Sequence, residues 1–124
     1  MKAFSDLEQS RKLAEFLPLE SADMYWWSSG KRYYIEAMDD GDFNEEEGHI
    51  RAWSLAALIN IIPQELFDGE YIINITGEID NKWIITYDHY ENRNHSFYGL
   101  SAGADNLVDA CYEMIIKLHE QNLL

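Results

Sequence analysis

The chain has 124 residues and carries 23 acidic side chains against nine basic ones, a formal charge of −14. A polyanion of this strength is repelled by phosphate backbones and by anionic lipid, so neither direct nucleic-acid binding nor membrane binding is expected. Hydrophobic residues at 47% and aromatics at 14% supply more apolar area than a disordered acidic tail carries, so the expectation is a single folded domain, 1–124.

The one cysteine, Cys111, cannot form an internal disulfide, and the opening MKAFSDLEQSRKLAEF has charges where a signal peptide needs an apolar stretch. No apolar run approaches the roughly 20 residues of a membrane helix. A cytoplasmic location follows as the expectation.

In chain order, Ser5 with Glu8 three residues later reads as a capping box, and Leu7, Leu13, Ala14, Phe16 and Leu17 keep near-helical spacing until Pro18. The first helix is predicted over 5–17. MYWWSSGKRYYIEAM then holds two aromatic runs around a glycine-containing turn, which predicts a hairpin with strands at 24–27 and 32–38. Residues 36–47 contain seven of the 23 acids and no base, the composition of a solvated loop. Ile50, Trp53, Ala57, Leu58 and Ile61 predict a second helix that stops at Pro63.

Tyr71, Ile73 and Ile75 alternate with Ile72, Asn74 and Thr76, and Trp83, Ile85 and Tyr87 with Ile84, Thr86 and Asp88, across a polar turn at Asp80 and Asn81. A third strand at 96–100 completes a meander. Asp105 or Asn106 caps a last helix with Leu107, Cys111, Met114, Ile115 and Leu118 on one stripe. The predicted fold class is α+β, a mainly antiparallel sheet of about five strands with three helices, in the order α-β-β-α-β-β-β-α.

Motifs for chemistry are sparse. Asp40, Asp42 and Asn44 reproduce the first three side-chain positions of an EF-hand loop, but Glu45 stands where its glycine belongs and Arg51 where its bidentate glutamate belongs. Asp88, His89, Glu91 and His95 are the residue types of a zinc or manganese site, without the spacing of a helical HExxH motif. Cys111 lies on an apolar helix stripe, where packing rather than nucleophilic reactivity is expected. No nucleophile elbow, phosphate-binding glycine pattern or cofactor motif is present, and no cofactor is predicted.

The aromatics of the first hairpin are the anomaly. Adjacent strand residues point to opposite faces, so Trp26 and Trp27 diverge, as do Tyr33 and Tyr34, and a sheet covered on one face only leaves about half of them outside. Exposed aromatics favour a partner surface; the bland alternatives are that a terminal segment or the acidic loop covers them, or that they pair across strands along a sheet edge.

Residues 12–24 (KLAEFLPLESADM), 52–63 (AWSLAALINIIP) and 101–121 (SAGADNLVDACYEMIIKLHEQ) resemble small proteins of gut Bacteroides-type bacteria and their phages and prophages. In those proteins the last helix often begins Asn, Pro, Val, Asp, and Leu107 here replaces the proline. The resemblance implies a mobile-element context and no particular activity. Together these readings predict a non-enzymatic domain that binds a protein partner or itself through Trp26, Trp27, Tyr33 and Tyr34 of the first hairpin, with the acidic loop as a further contact element. In a sharper form it is an acidic inhibitor that mimics nucleic acid. The alternative is a small metal-dependent hydrolase built on His89, His95 and nearby carboxylates.

Overall fold

The computed structural model describes residues 2–39 and 41–124, with the side chains of Glu78 and Ile79 left aside. Its three helices and two antiparallel sheets make an α+β fold in the expected element order, with two short strands added and with the hairpin and the meander in separate sheets rather than in the one sheet expected. The chain divides into two compact units, Ala3–Leu58 and Ile59–Leu124, the second including Lys2. Among the described residues no helix is long and apolar enough to cross a membrane.

In the first unit, α1 (Leu7–Ala14) is shorter at both ends than the predicted 5–17, and its cap lies one residue beyond Ser5. Asp6 is the cap, accepting from the Gln9 amide at 2.8 Å, and the Gln9 side chain accepts from the Asp6 amide at 3.1 Å. Ser5 is unavailable because its hydroxyl is consumed elsewhere. Buried, it meets the Ser10 hydroxyl at 2.7 Å and accepts from the Trp53 amide at 3.0 Å, while the Ser5 amide donates to the Trp53 carbonyl at 2.8 Å.

The hairpin comprises β1 (Met24–Ser29) and β2 (Arg32–Ala37), joined by Gly30 and Lys31. Gly30 has φ 70 and Lys31 does not share the positive φ, the pattern of a type II′ turn whose twist suits a two-residue hairpin. Ile50–Ala52, expected in the second helix, is instead strand β3, paired with Met24–Trp26, so the sheet order is β2-β1-β3. Main-chain bonds to the free side of β1 outweigh the helical spacing, and the helix α2 (Leu55–Ile61) begins only after Ser54, which accepts from the Ala57 amide at 3.2 Å. Trp53, fully buried, donates its indole N–H to Ser21 at 3.0 Å.

The second unit holds the sheet β4-β5-β6-β7, made of Glu65–Leu66, Tyr71–Ile79, Lys82–His89 and Ser96–Ala104. Asp80 and Asn81, both at positive φ, form the β5–β6 turn as expected. Helix α3 (Leu107–Glu120) is capped by Asn106, which accepts from the Asp109 amide at 2.9 Å. It packs against β6 and β7, where Ile85, Tyr87, Leu100 and Ala102 are buried together with Cys111, Met114, Ile115 and Leu118. The buried face of α3 is wider than the predicted stripe, since Val108 and Ala110 are fully buried while Leu107 is half-buried.

Candidate functional site

The β1–β2 ladder is unbroken over six residue pairs, from Met24 opposite Ala37 to Ser29 opposite Arg32. Directly opposed residues share a face, so Trp26 with Ile35 and Tyr33 lies on one side, and Trp27 with Tyr34 and Arg32 on the other. The four predicted aromatics are therefore two pairs, one on each face.

On the first face Trp26 is half-buried, edge-on to Phe4 at 5.6 Å, and donates its indole N–H to the Ser5 carbonyl at 3.1 Å. Tyr33 remains 41% exposed beneath the Arg11 guanidinium, 6.0 Å from its ring centre. On the second face Trp27 stacks on Tyr34, 42% exposed, with ring centroids 4.8 Å apart. Farther along this face Tyr25 is buried under His49 and Phe43, whose rings lie 5.0 and 5.6 Å away. Its hydroxyl donates to Glu36 at 3.0 Å, and burial together with that carboxylate raises its pKa.

The acidic segment is tied to the sheet through Phe43 and His49 and through Arg51, which meets Glu45 at 2.7 Å and the Leu17 carbonyl at 3.0 Å. Of the EF-hand-like residues, Asp40 lies outside the described residues. Asn44 spends its side-chain oxygen on the Glu46 amide at 2.9 Å, and Asp42 is exposed. Outside 36–47 the first unit is neutral, with five acids and five bases.

His89 and His95 do come together, with ring centroids 6.4 Å apart and the His89 amide donating to the His95 carbonyl. They meet as packed rings around Tyr71, His89 Nε2 lies 3.9 Å from the Glu70 carboxylate, and the Asp88 and Glu91 carboxylates each accept a hydrogen bond from another side chain. Asp88 is buried and accepts from Thr86 at 2.9 Å and Ser96 at 2.7 Å, Glu91 accepts from Tyr90 at 2.8 Å, and His89 Nδ1 accepts from the Glu91 amide at 3.2 Å. Among the described residues no three His, Cys, Asp or Glu side chains gather where they could hold a metal ion. Cys111 is fully buried, and burial pushes its thiol up to about 12.

An aromatic rim around this pair escaped the sequence reading. Phe67, Tyr71 and Phe97 pack at 5.1 to 6.2 Å, and Phe67 and Tyr98 are 47% and 97% exposed. Tyr98 is thrown outward because four residues, 97–100, face the single residue Tyr87 between the Asp88–Ser96 and Thr86–Ser101 pairs, with Gly99 at φ 85 supplying the bend. The SFYG run was the available signal.

Comparison with protein-family models, with curated proteins and with solved structures yields no match. The site stands on its geometry.

Proposed function

We propose that this chain is a non-catalytic protein-association domain whose contact element is the outer edge of β2. One comparison carries the reading. The two sheets have four edges, and three are blunted: β3 has three residues, β4 has two, and β7 is interrupted by a long bulge. β2 has six residues, no proline and no bulge, and five of the six are exposed. Among the described residues no group bonds to the outward main chain of 32–36. A straight, uncovered edge is a template for an added strand, and soluble proteins ordinarily disrupt such edges unless they use them.

The aromatics strengthen the reading. Tyr33 and Tyr34 present rings on both faces of the same strand, so a segment added to β2 would gain ring contacts above and below its main-chain bonds. The metal-dependent alternative loses support because His89, Asp88 and Glu91 are each engaged in separate local bonds.

The test is a photo-crosslinking residue at Tyr34 in cells of the native host, with a control on α3 at Glu120, which is exposed. Protein adducts from position 34 and none from 120 are expected. Absence of adducts at 34 overturns the reading.

A further inference from the structure

We infer that the β2 edge is complementary to itself and pairs antiparallel with β2 of a second copy, in the register that sets Tyr34 opposite Tyr34 and Arg32 opposite Glu36. This deepens the reading of β2 as a docking edge and rests on it.

The register follows from hydrogen-bond direction. In a two-residue hairpin the residues flanking the loop exchange their main-chain bonds, here Ser29 with Arg32, and bonded and non-bonded pairs then alternate along the ladder. Arg32, Tyr34 and Glu36 thus turn their amides and carbonyls inward to β1, while Tyr33 and Ile35 turn theirs outward. A second β2 can bond to this edge only where outward residues meet outward residues. That leaves three central registers, with Tyr33, Tyr34 or Ile35 on the symmetry axis. Centring on Tyr33 sets Arg32 against Tyr34, and centring on Ile35 sets Glu36 against Tyr34. Only centring on Tyr34 opposes Arg32 to Glu36, and the two-fold axis makes that pair occur twice.

The side chains suit this arrangement. Arg32, Tyr34 and Glu36 lie on one face, since they are two residues apart along the strand. Arg32 and Glu36 of one chain stand about 13 Å apart along the strand and so cannot satisfy each other. Arg32 has no ion-pair partner among the described residues. Glu36 is held on this face by Tyr25, which engages Oε2, while Oε1 has no partner among the described residues. In the paired edge both Arg32–Glu36 and Tyr34–Tyr34 fall at non-hydrogen-bonded positions, where opposed Cα atoms approach to about 4.5 Å and side chains interact most closely. Tyr33 and Ile35 then carry the main-chain bonds. The strand has no net charge, so it is spared the acidity of the neighbouring 38–47 segment.

The experiment is sedimentation equilibrium of the purified full chain and of two variants, Arg32→Glu and Glu36→Arg, each alone and mixed in equal amounts. The wild-type chain is expected to dimerise with a dissociation constant between about 1 µM and 1 mM, the range for a small interface. Each variant alone opposes like charges twice and should associate at least about tenfold more weakly. In the mixture one chain brings acids at both positions and the other brings bases at both, so each of the two cross-strand pairs again joins an acid to a base. Heterodimers should then form at close to wild-type strength, which also shows that both variants are folded. A wild-type chain monomeric at about 1 mM, or a mixture no more associated than its components, overturns the inference. Crosslinks from position 34 to a different protein, with the purified chain monomeric, overturn the second copy and leave the docking edge standing. Monomeric behaviour with no crosslink overturns both.

Discussion

Trp27 and Tyr34 stand opposite each other across the β1–β2 ladder, their ring planes inclined by 27°, while the buried Trp27 indole N–H has no hydrogen-bond partner among the described residues. Its neighbour Trp26 differs in that respect, since its N–H reaches the Ser5 carbonyl. The two tryptophans should therefore respond differently to the same change. Trp26→Phe removes a satisfied donor and should cost about 1–2 kcal/mol. Trp27→Phe loses some stacking but removes an unpaired donor, whose burial costs about 1–3 kcal/mol, and should be near neutral. Urea unfolding of the two variants checks the contrast, and equal losses would contradict it.

Gly77 sits where β5 and β6 shift register, and a Cβ there would lie 2.8 Å from the Trp83 ring. An indole is rigid, so Gly77→Ala forces either the ring or the strand to move. The expected loss is about 1–3 kcal/mol, the usual cost of overpacking. Gly103→Ala, whose nearest neighbour would be 3.8 Å away, is the control and should cost less. Thermal unfolding of both variants reads the difference.

Phe67 and Asp68 hold φ of 55 and 56 in the β4–β5 connection, a region that costs a non-glycine residue about 1 kcal/mol or more. Asp68→Gly should relieve that cost and leave the protein at least as stable as wild type. Phe67→Gly should not, because Phe67 also packs on Phe97 at 5.2 Å and on Tyr71 at 6.2 Å. Denaturant midpoints rank the three proteins.

Cys111 and Tyr87 make the fold sensitive to alkali. Burial raises the thiol to about 12 from an ordinary 9.0, and burial likewise raises the Tyr87 phenol above its ordinary 10.0. Between pH 9 and 12 the unfolded chain releases the thiol proton while the native chain keeps it, so the native state binds more protons and stability falls as pH rises. Below pH 9 this contribution is fully present. The expected slope approaches about 1.4 kcal/mol per pH unit for each group, with Tyr87 adding its part above pH 10. Cys111→Ala should flatten the curve between pH 9 and 10, measured by urea unfolding at a series of pH values.

Local patterns carried most of the secondary structure. The glycine-containing turn of the first hairpin, the alternation along β5 and β6, the Asp80–Asn81 turn and the α3 stripe depend on a few adjacent residues, and each formed where its spacing indicated. At two of the boundaries that moved, a distant partner competed. Ser5 turned from cap to buried bridge once Trp53 came beside it, and Ile50–Ala52 left the helix once β1 offered an edge. Likewise His89 and His95 were legible as neighbours, but the hydrogen bonds that occupy Asp88 and Glu91 come from Thr86, Ser96 and Tyr90 after the strands pair.

The α+β class, the acidity and the aromatic hairpin were set by composition and short-range periodicity, which act within a few residues of their cause. Which strand became an edge emerged from strand pairing, for edge status depends on what fails to pair with a strand and not on the strand's own residues. The division of Trp26, Trp27, Tyr33 and Tyr34 between faces follows from alternation. That β2 is left open, with Arg32 in no ion pair among the described residues and Glu36 held by Tyr25, follows from strand order and register, which join residues far apart in the chain.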